Sequence, residues 1–137
     1  MDHEWVETIM TTVIYGIDNC DSVKKARRWL NENQIDFCFH DFRKNGLEHK
    51  LVSRWVGKIQ WDLLLNRRGT TWRGIDQMTK DHVDGASIVK FLCDHPTVIK
   101  RPVLEHGDLL MVGFNEIEYM QLFKKHPPIR HQREIKL

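Results

Sequence analysis

The feature that most constrains this chain is a short strand, a glycine-marked loop and then a helix that starts at a cysteine. Residues 11–16 read TTVIYG, the β-branched and aromatic composition typical of a strand that ends at a glycine. Over residues 20–33, apolar side chains recur every three or four positions. The pattern predicts a strand over 12–16 and a helix over 20–33, with Cys20 in its first turn. We expect Asn19, which belongs to a residue type favoured at helix starts, to cap that helix.

A thiol at this position is suited to nucleophilic chemistry. The unpaired N–H groups and the positive end of the helix dipole favour the thiolate, which is the reactive form of cysteine. Lys24 follows Cys20 by one helical turn and adds positive charge, whereas Val23 occupies the second position of a Cys-x-x-Cys motif. Dithiol chemistry within this loop is therefore excluded, and a single-thiol mechanism requires an outside thiol such as glutathione. The alternative is that Cys20 is a small buried apolar residue.

The other two cysteines have simpler interpretations. Cys38 lies among aromatic residues in a predicted strand, so we expect it to be buried and inert. Cys93 sits late in a predicted helix, where packing is the first interpretation and resolution of a Cys20 adduct is the alternative. Three widely spaced cysteines do not indicate a disulfide scaffold and favour a reducing, cytoplasmic setting.

The order of the predicted elements defines the fold class. After the first strand and helix, the pattern predicts a strand over 36–42, helices over 47–59 and Trp61–Leu65, an irregular basic loop over 67–73 and a helix over 80–94. The last part of the chain is predicted to form a hairpin, with one strand after Arg101 and Pro102, a turn at Gly107 and Asp108, and a second strand over Leu109–Val112. A helix over 115–125, capped by Asn115, follows the hairpin. A βαβ unit favours parallel strands, and the later hairpin favours antiparallel ones. We therefore predict an α/β, thioredoxin-like fold: a four-stranded mixed sheet flanked by helices.

The length of 137 residues suits one domain, which we place at 11–126 with a helical insertion at about 47–95. We expect residues 1–10 to be a flexible extension and 127–137 to be a loose basic tail. A monomer is the default expectation.

Composition narrows the function classes. A net charge of +2 gives no electrostatic reason to expect binding to nucleic acid. The apolar runs of the sequence are too short to span a membrane. The first residues lack the pattern of a secretory signal. The eight histidines are scattered without metal-ligand spacing, so we expect no metal. A single-thiol mechanism with glutathione as co-substrate requires no tightly bound cofactor.

Several blocks of the sequence resemble one family. They are YGIDNC at 15–20, KKARRWL at 24–30, DFRKNGL at 41–47, NRRGTTWR at 66–73, IKRPV at 99–103 and VGF at 112–114. Together, and in this order, they resemble the arsenate reductase-like (ArsC) and Spx proteins, most closely the YffB subgroup. The resemblance spans about residues 11–125.

The resemblance implies a thioredoxin-like fold with an insertion and a catalytic cysteine at Cys20. In the family's arsenate reductases this cysteine attacks the oxyanion, and glutathione with glutaredoxin regenerates it. Arg101, next to the expected cis-proline Pro102, matches a family arginine near the thiolate. Arg68 is the best match to a second such arginine, with Arg67 as its competitor.

The implied function is a glutathione-dependent thiol reductase, as suggested for the YffB subgroup. A further arginine of the arsenate reductases lies in the hairpin, and the hairpin Leu104–Gly113 of this chain contains none, which argues against arsenate reduction. An Spx-like partner of RNA polymerase is the other alternative. Spx proteins usually carry a Cys-x-x-Cys switch, which Val23 removes here.

Overall fold

The computed structural model describes residues 11–128, which divide into two compact units. Residues 11–41 and 101–128 form the sheet unit, and residues Phe42–Lys100 form the inserted unit. The predicted flexible extension at 1–10 lies outside the described residues, as does all of the predicted tail except its first two residues. Of those two, Pro127 is exposed and Pro128 is buried.

The predicted strands and the longer helices occur in the predicted order with shifted ends, whereas the short helices at 42–45, 70–73 and 77–81 lie wholly or mostly outside the predicted helices. The elements in chain order are β1 (Thr12–Gly16), α1 (Asp21–Glu32), β2 (Cys38–Asp41), α2 (Phe42–Asn45), α3 (His49–Val56), a 3-10 helix (Trp61–Leu64), α4 (Thr70–Arg73), α5 (Gln77–Asp81), α6 (Ile88–Asp94), a 3-10 turn (Pro96–Val98), β3 (Val103–His106), β4 (Leu109–Val112) and α7 (Glu116–Lys125). The sheet has the order β2-β1-β3-β4. β1 and β2 are parallel, and the other two pairs are antiparallel. The predicted four-stranded, mixed, thioredoxin-like fold is confirmed.

One face of the sheet carries the core of the sheet unit. Ile14 of β1 and Leu104 of β3 pack against the apolar faces of α1 and α7, and both are fully buried. The buried helical residues of this cluster are Ala26, Trp29, Leu30, Tyr119 and Phe123. Burial of each large apolar side chain contributes about 1.5–3 kcal/mol, so this cluster fixes both helices against the sheet.

Gly16 allows α1 to start close to the end of β1. A Cβ atom at this position would lie 2.6 Å from Cγ2 of Val23, closer than packed carbon atoms approach. The glycine that marked the end of the strand in the sequence is therefore also needed for packing. It lets the first turn of α1 lie directly over the end of the strand.

In the inserted unit, two predicted segments differ from the structure. The helix predicted over 80–94 is interrupted, because the Asp84 carboxylate accepts hydrogen bonds from the N–H groups of Ala86 (3.0 Å) and Ser87 (2.9 Å). Such local side-chain bonds compete with the helical ladder. The loop predicted over 67–73 contains α4, whose last residue, Arg73, donates its N–H to the Gly69 carbonyl.

Candidate active site

Cys20 occupies the N-cap position of α1. Its backbone is extended, its carbonyl accepts the N–H of Lys24 at 2.9 Å, and its side chain is half-buried. The prediction that Asn19 caps the helix is wrong, because the helix begins at Asp21 and Asn19 is an exposed residue before the cap. The cap side chain makes no hydrogen bond to the first turn. The thiol therefore lies at the positive end of a twelve-residue helix.

Strand register brings Arg101 and Pro102 to the same end of the sheet as Cys20. β1 and β3 are antiparallel with Tyr15 opposite Val103, so the chain leaving β1 runs beside the chain entering β3. The peptide bond between Arg101 and Pro102 is cis, as predicted. Pro102 is buried and its carbonyl accepts the N–H of Gly113 at 2.8 Å. Arg101 is half-buried beside this fixed turn.

The other predicted site residues, Lys24 and the two arginines Arg67 and Arg68, are exposed. Lys24 is exposed one turn along α1. Arg68 and Arg67 belong to the inserted unit. Arg68 is exposed and its N–H bonds to Oδ1 of Asn66 at 3.3 Å, whereas the Arg67 guanidinium lies over the ring of Trp72 at 5.7 Å. The choice between these two arginines as a partner of Cys20 stays a prediction.

The loop between β1 and α1 is anchored at Asp18. Its N–H donates to Oδ2 of Asp41 at 3.2 Å, and its carboxylate accepts from Nη1 of Arg27 at 3.2 Å. Sequence reasoning missed these roles, because both contacts join Asp18 to residues that are distant in the sequence. The available signal was an aspartate at the end of the strand beside β1.

Of the other cysteines, Cys38 is exposed, which corrects the prediction that it is buried. It starts β2, an edge strand of the sheet, and its neighbours Phe37 and Phe39 pack against the core of the sheet unit while Cys38 does not. Cys93, in the inserted unit, is half-buried. Burial raises the pKa of the Cys93 thiol, and the nearby Asp94 carboxylate adds to that shift, so this thiol is poorly ionised.

Other site types find no support in the described residues. Within 11–128, no three His, Cys, Asp or Glu side chains gather in a way that could hold a metal ion. No helix in that same range is long and apolar enough to cross a membrane.

Comparison with known proteins identifies the family. The model of the ArsC family matches residues 15–122, and the chain belongs to this family. A solved structure described as YFFB (PA3664) protein is 40% identical, covers 81% of this chain and 97% of its own, and superposes with a TM-score of 0.77. The predicted similarity to the YffB subgroup is thereby confirmed.

Two further relatives show what kinds of protein the chain resembles. An arsenate reductase (ArsC) related protein from Brucella melitensis is 44% identical, covering 84% of this chain and 96% of its own, with a TM-score of 0.67. The global transcriptional regulator Spx 2 of Bacillus anthracis is 27% identical over 77% of this chain and 82% of its own. The chain is thus similar both to a protein related to arsenate reductases and to a transcriptional regulator.

Proposed function

We propose that this protein is a glutathione-dependent monothiol reductase in which the Cys20 thiolate is the nucleophile. The thiolate attacks the glutathione sulfur of a mixed disulfide, forming a Cys20–glutathione disulfide and releasing the other thiolate, which takes up a proton. A second glutathione, as thiolate, attacks the adduct. This step forms glutathione disulfide and returns Cys20 as thiolate. Over the two steps the sulfur of the incoming glutathione is oxidised and the substrate sulfur is reduced, while the sulfur of the first glutathione stays at the disulfide level.

The observation that carries this proposal is the position of Cys20 at the start of α1, with Val23 one turn later. The helix start favours the thiolate, and the absence of a cysteine at position 23 leaves resolution to an outside thiol. Cys38, which starts an edge strand and not a helix, and Cys93, whose thiol is poorly ionised, are weaker candidates for the nucleophile. Reduced thiols are consistent with function in a reducing compartment such as the cytoplasm.

Arg101 is proposed to bind an anionic group of glutathione. Its guanidinium is suited to paired hydrogen bonds with a carboxylate, and the register places it at the thiol end of the sheet. Lys24 supports the thiolate through its positive charge. A contribution from Arg68 rests on the family resemblance alone, and the variants Arg68→Ala and Arg67→Ala decide between these arginines.

The test is turnover of a small glutathione mixed disulfide, followed through formation of glutathione disulfide. We expect Cys20→Ser to abolish turnover, since Cys20 is the thiol that lies at the start of α1. The matched controls Cys38→Ser and Cys93→Ser should keep wild-type rates. Full turnover in the Cys20→Ser variant would rule out the proposed function. Turnover with arsenate as substrate, using glutathione and glutaredoxin, tests the arsenate reductase alternative, which the hairpin without arginine does not favour.

A regulatory function is the second candidate, favoured by the 27% identity to Spx 2. In this alternative the chain acts by binding RNA polymerase and not by turnover. Recovery of polymerase subunits with the purified chain, undiminished in Cys20→Ser, would support it. A preparation that turns over disulfides and recovers no polymerase would exclude it.

A further inference from the structure

Asp18 is held at both its backbone and its side chain, two residues before the proposed nucleophile. Its N–H bonds to the Asp41 carboxylate, and its own carboxylate bonds to the Arg27 guanidinium. The two anchors lie on different elements, since Asp41 ends β2 and Arg27 belongs to α1. The loop that carries Cys20 is therefore tied to the sheet and to the helix.

The Asp41 anchor is rigid. Asp41 is only 5% exposed. In the parallel register of β1 and β2, Asp41 lies opposite Gly16, where the chain leaves β1. A hydrogen bond from a backbone N–H to a buried carboxylate is stronger than one between neutral groups and is costly to break. Asp41 therefore fixes the path of the loop as it leaves the sheet.

Arg27 is held by a stacking contact with Phe39 as well as by its ion pair with Asp18. Its guanidinium lies over the Phe39 ring, 4.0 Å from the centroid, and its side chain is only 35% exposed. Cation–π stacking limits the freedom of the guanidinium, so the ion pair with Asp18 keeps one geometry. An exposed ion pair alone contributes little, and the stacking is what makes this contact directional.

We propose that Asp41 and Arg27 are positioning residues that hold Asp18 and thereby keep the Cys20 thiol at the start of α1. This inference rests on the proposed function, because it concerns the same thiol. Neither residue touches the reacting sulfur in this role. If the loop is released, Cys20 moves off the helix axis and loses part of the stabilisation that favours its thiolate.

The role differs in a measurable way from a direct effect of charge. A carboxylate near a thiolate disfavours ionisation by repulsion, so removal of its charge alone would increase the thiolate. As a positioning residue, Asp41 has the opposite signature. Asp41→Asn keeps an oxygen acceptor for the Asp18 N–H and should retain the fraction of thiolate, whereas Asp41→Ala should lower it.

The experiment measures the fraction of Cys20 present as thiolate at pH 7, from ultraviolet absorbance, in a Cys38→Ser/Cys93→Ser parent. Asp41→Ala and Arg27→Ala should lower that fraction about two- to fivefold, the size of a helix-end effect. Asp41→Asn and the control Arg28→Ala, which changes an exposed neighbour on the same helix, should leave it unchanged.

A second control separates positioning from loss of stability. Thr12→Val removes a buried hydrogen bond to His106 (2.8 Å) at the far end of β1. It should lower the unfolding temperature without changing the thiolate fraction. The inference alone would be overturned if the parent has more thiolate than free cysteine and both Asp41→Ala and Arg27→Ala keep the thiolate fraction of that parent. It would also be overturned if both Asp41 variants raised the thiolate fraction. A parent with no more thiolate than free cysteine overturns the proposed function as well.

Discussion

The same substitution at two buried tyrosines should change stability in opposite directions. The Tyr119 side chain is fully buried, and its hydroxyl has no hydrogen-bond partner within the described residues 11–128. Burial raises the pKa of this phenol well above its usual value. The Tyr15 hydroxyl, in contrast, donates to Oε1 of Glu105 at 2.9 Å, where both residues are buried. We therefore compare Tyr119→Phe with Tyr15→Phe.

The structure gives the expected size of each effect. A buried hydroxyl without a partner costs about 1–3 kcal/mol, and the phenylalanine ring keeps the edge-on contacts of Tyr119 with Trp29 and Phe114. Allowing for the small void left by the oxygen, we expect Tyr119→Phe to raise the free energy of unfolding by about 1 kcal/mol. Tyr15→Phe removes a hydrogen bond to a buried carboxylate, so it should lower the free energy of unfolding by about 1–3 kcal/mol.

The assay is urea unfolding followed by circular dichroism. With a slope of about 1–3 kcal/mol per molar urea, the midpoint should rise by about 0.3–1 M for Tyr119→Phe and fall for Tyr15→Phe. The comparison is valid where both variants keep the wild-type slope. A Tyr119→Phe variant that loses as much stability as Tyr15→Phe would refute the reasoning, because it would show that the Tyr119 hydroxyl is well bonded.

Three further predictions concern pH, packing and capping. Burial lowers the pKa of His106 below its ordinary value of 6.5. As the pH drops below about 6.5, His106 is therefore protonated in the unfolded chain before it is protonated in the folded chain, and the free energy of unfolding should fall. Urea midpoints between pH 7.5 and 5 should show this fall, and a His106→Gln variant should show less of it. Gly16→Ala should cost about 1–3 kcal/mol in thermal unfolding, since the new methyl group meets Val23, and Val23→Ala in the same chain should recover part of the loss. Asn115→Ala should cost about 0.5–2 kcal/mol in urea unfolding, because the Asn115 side chain accepts the Glu118 N–H at 3.0 Å; equal stability would show that this cap contributes nothing.

The parts of the fold that local patterns determine could be predicted from the sequence. β1 was predicted at 12–16 and lies at Thr12–Gly16, and Asn115 caps α7 as expected. The hairpin turn at Gly107 is also present, with a positive φ of 59° that suits glycine. These features depend on residues close together in the chain, where β-branched runs, turn residues and capping residues act directly.

The parts that depend on distant contacts were missed or misplaced. Cys38 looked buried because its neighbours are aromatic, and only the sheet order shows that β2 is an edge strand. The helix predicted over 80–94 is interrupted because Asp84 bonds to backbone N–H groups, which its spacing alone does not reveal. Asp41 and Arg27 anchor the Cys20 loop through bonds across two elements, and no local pattern indicates such bonds.

The central claim is that Cys20 is an activated thiol, and the direct test is competition between two thiols of the wild-type chain. Iodoacetamide is added at pH 7, and labelling of Cys20 and Cys38 is followed by mass spectrometry of peptides. Cys38 is the more exposed of the two, so accessibility alone predicts that it reacts first. We expect Cys20 to react faster because it lies at the start of α1, where the helix end favours the reactive form of a thiol. Faster labelling of Cys38, or equal rates, would contradict the claim.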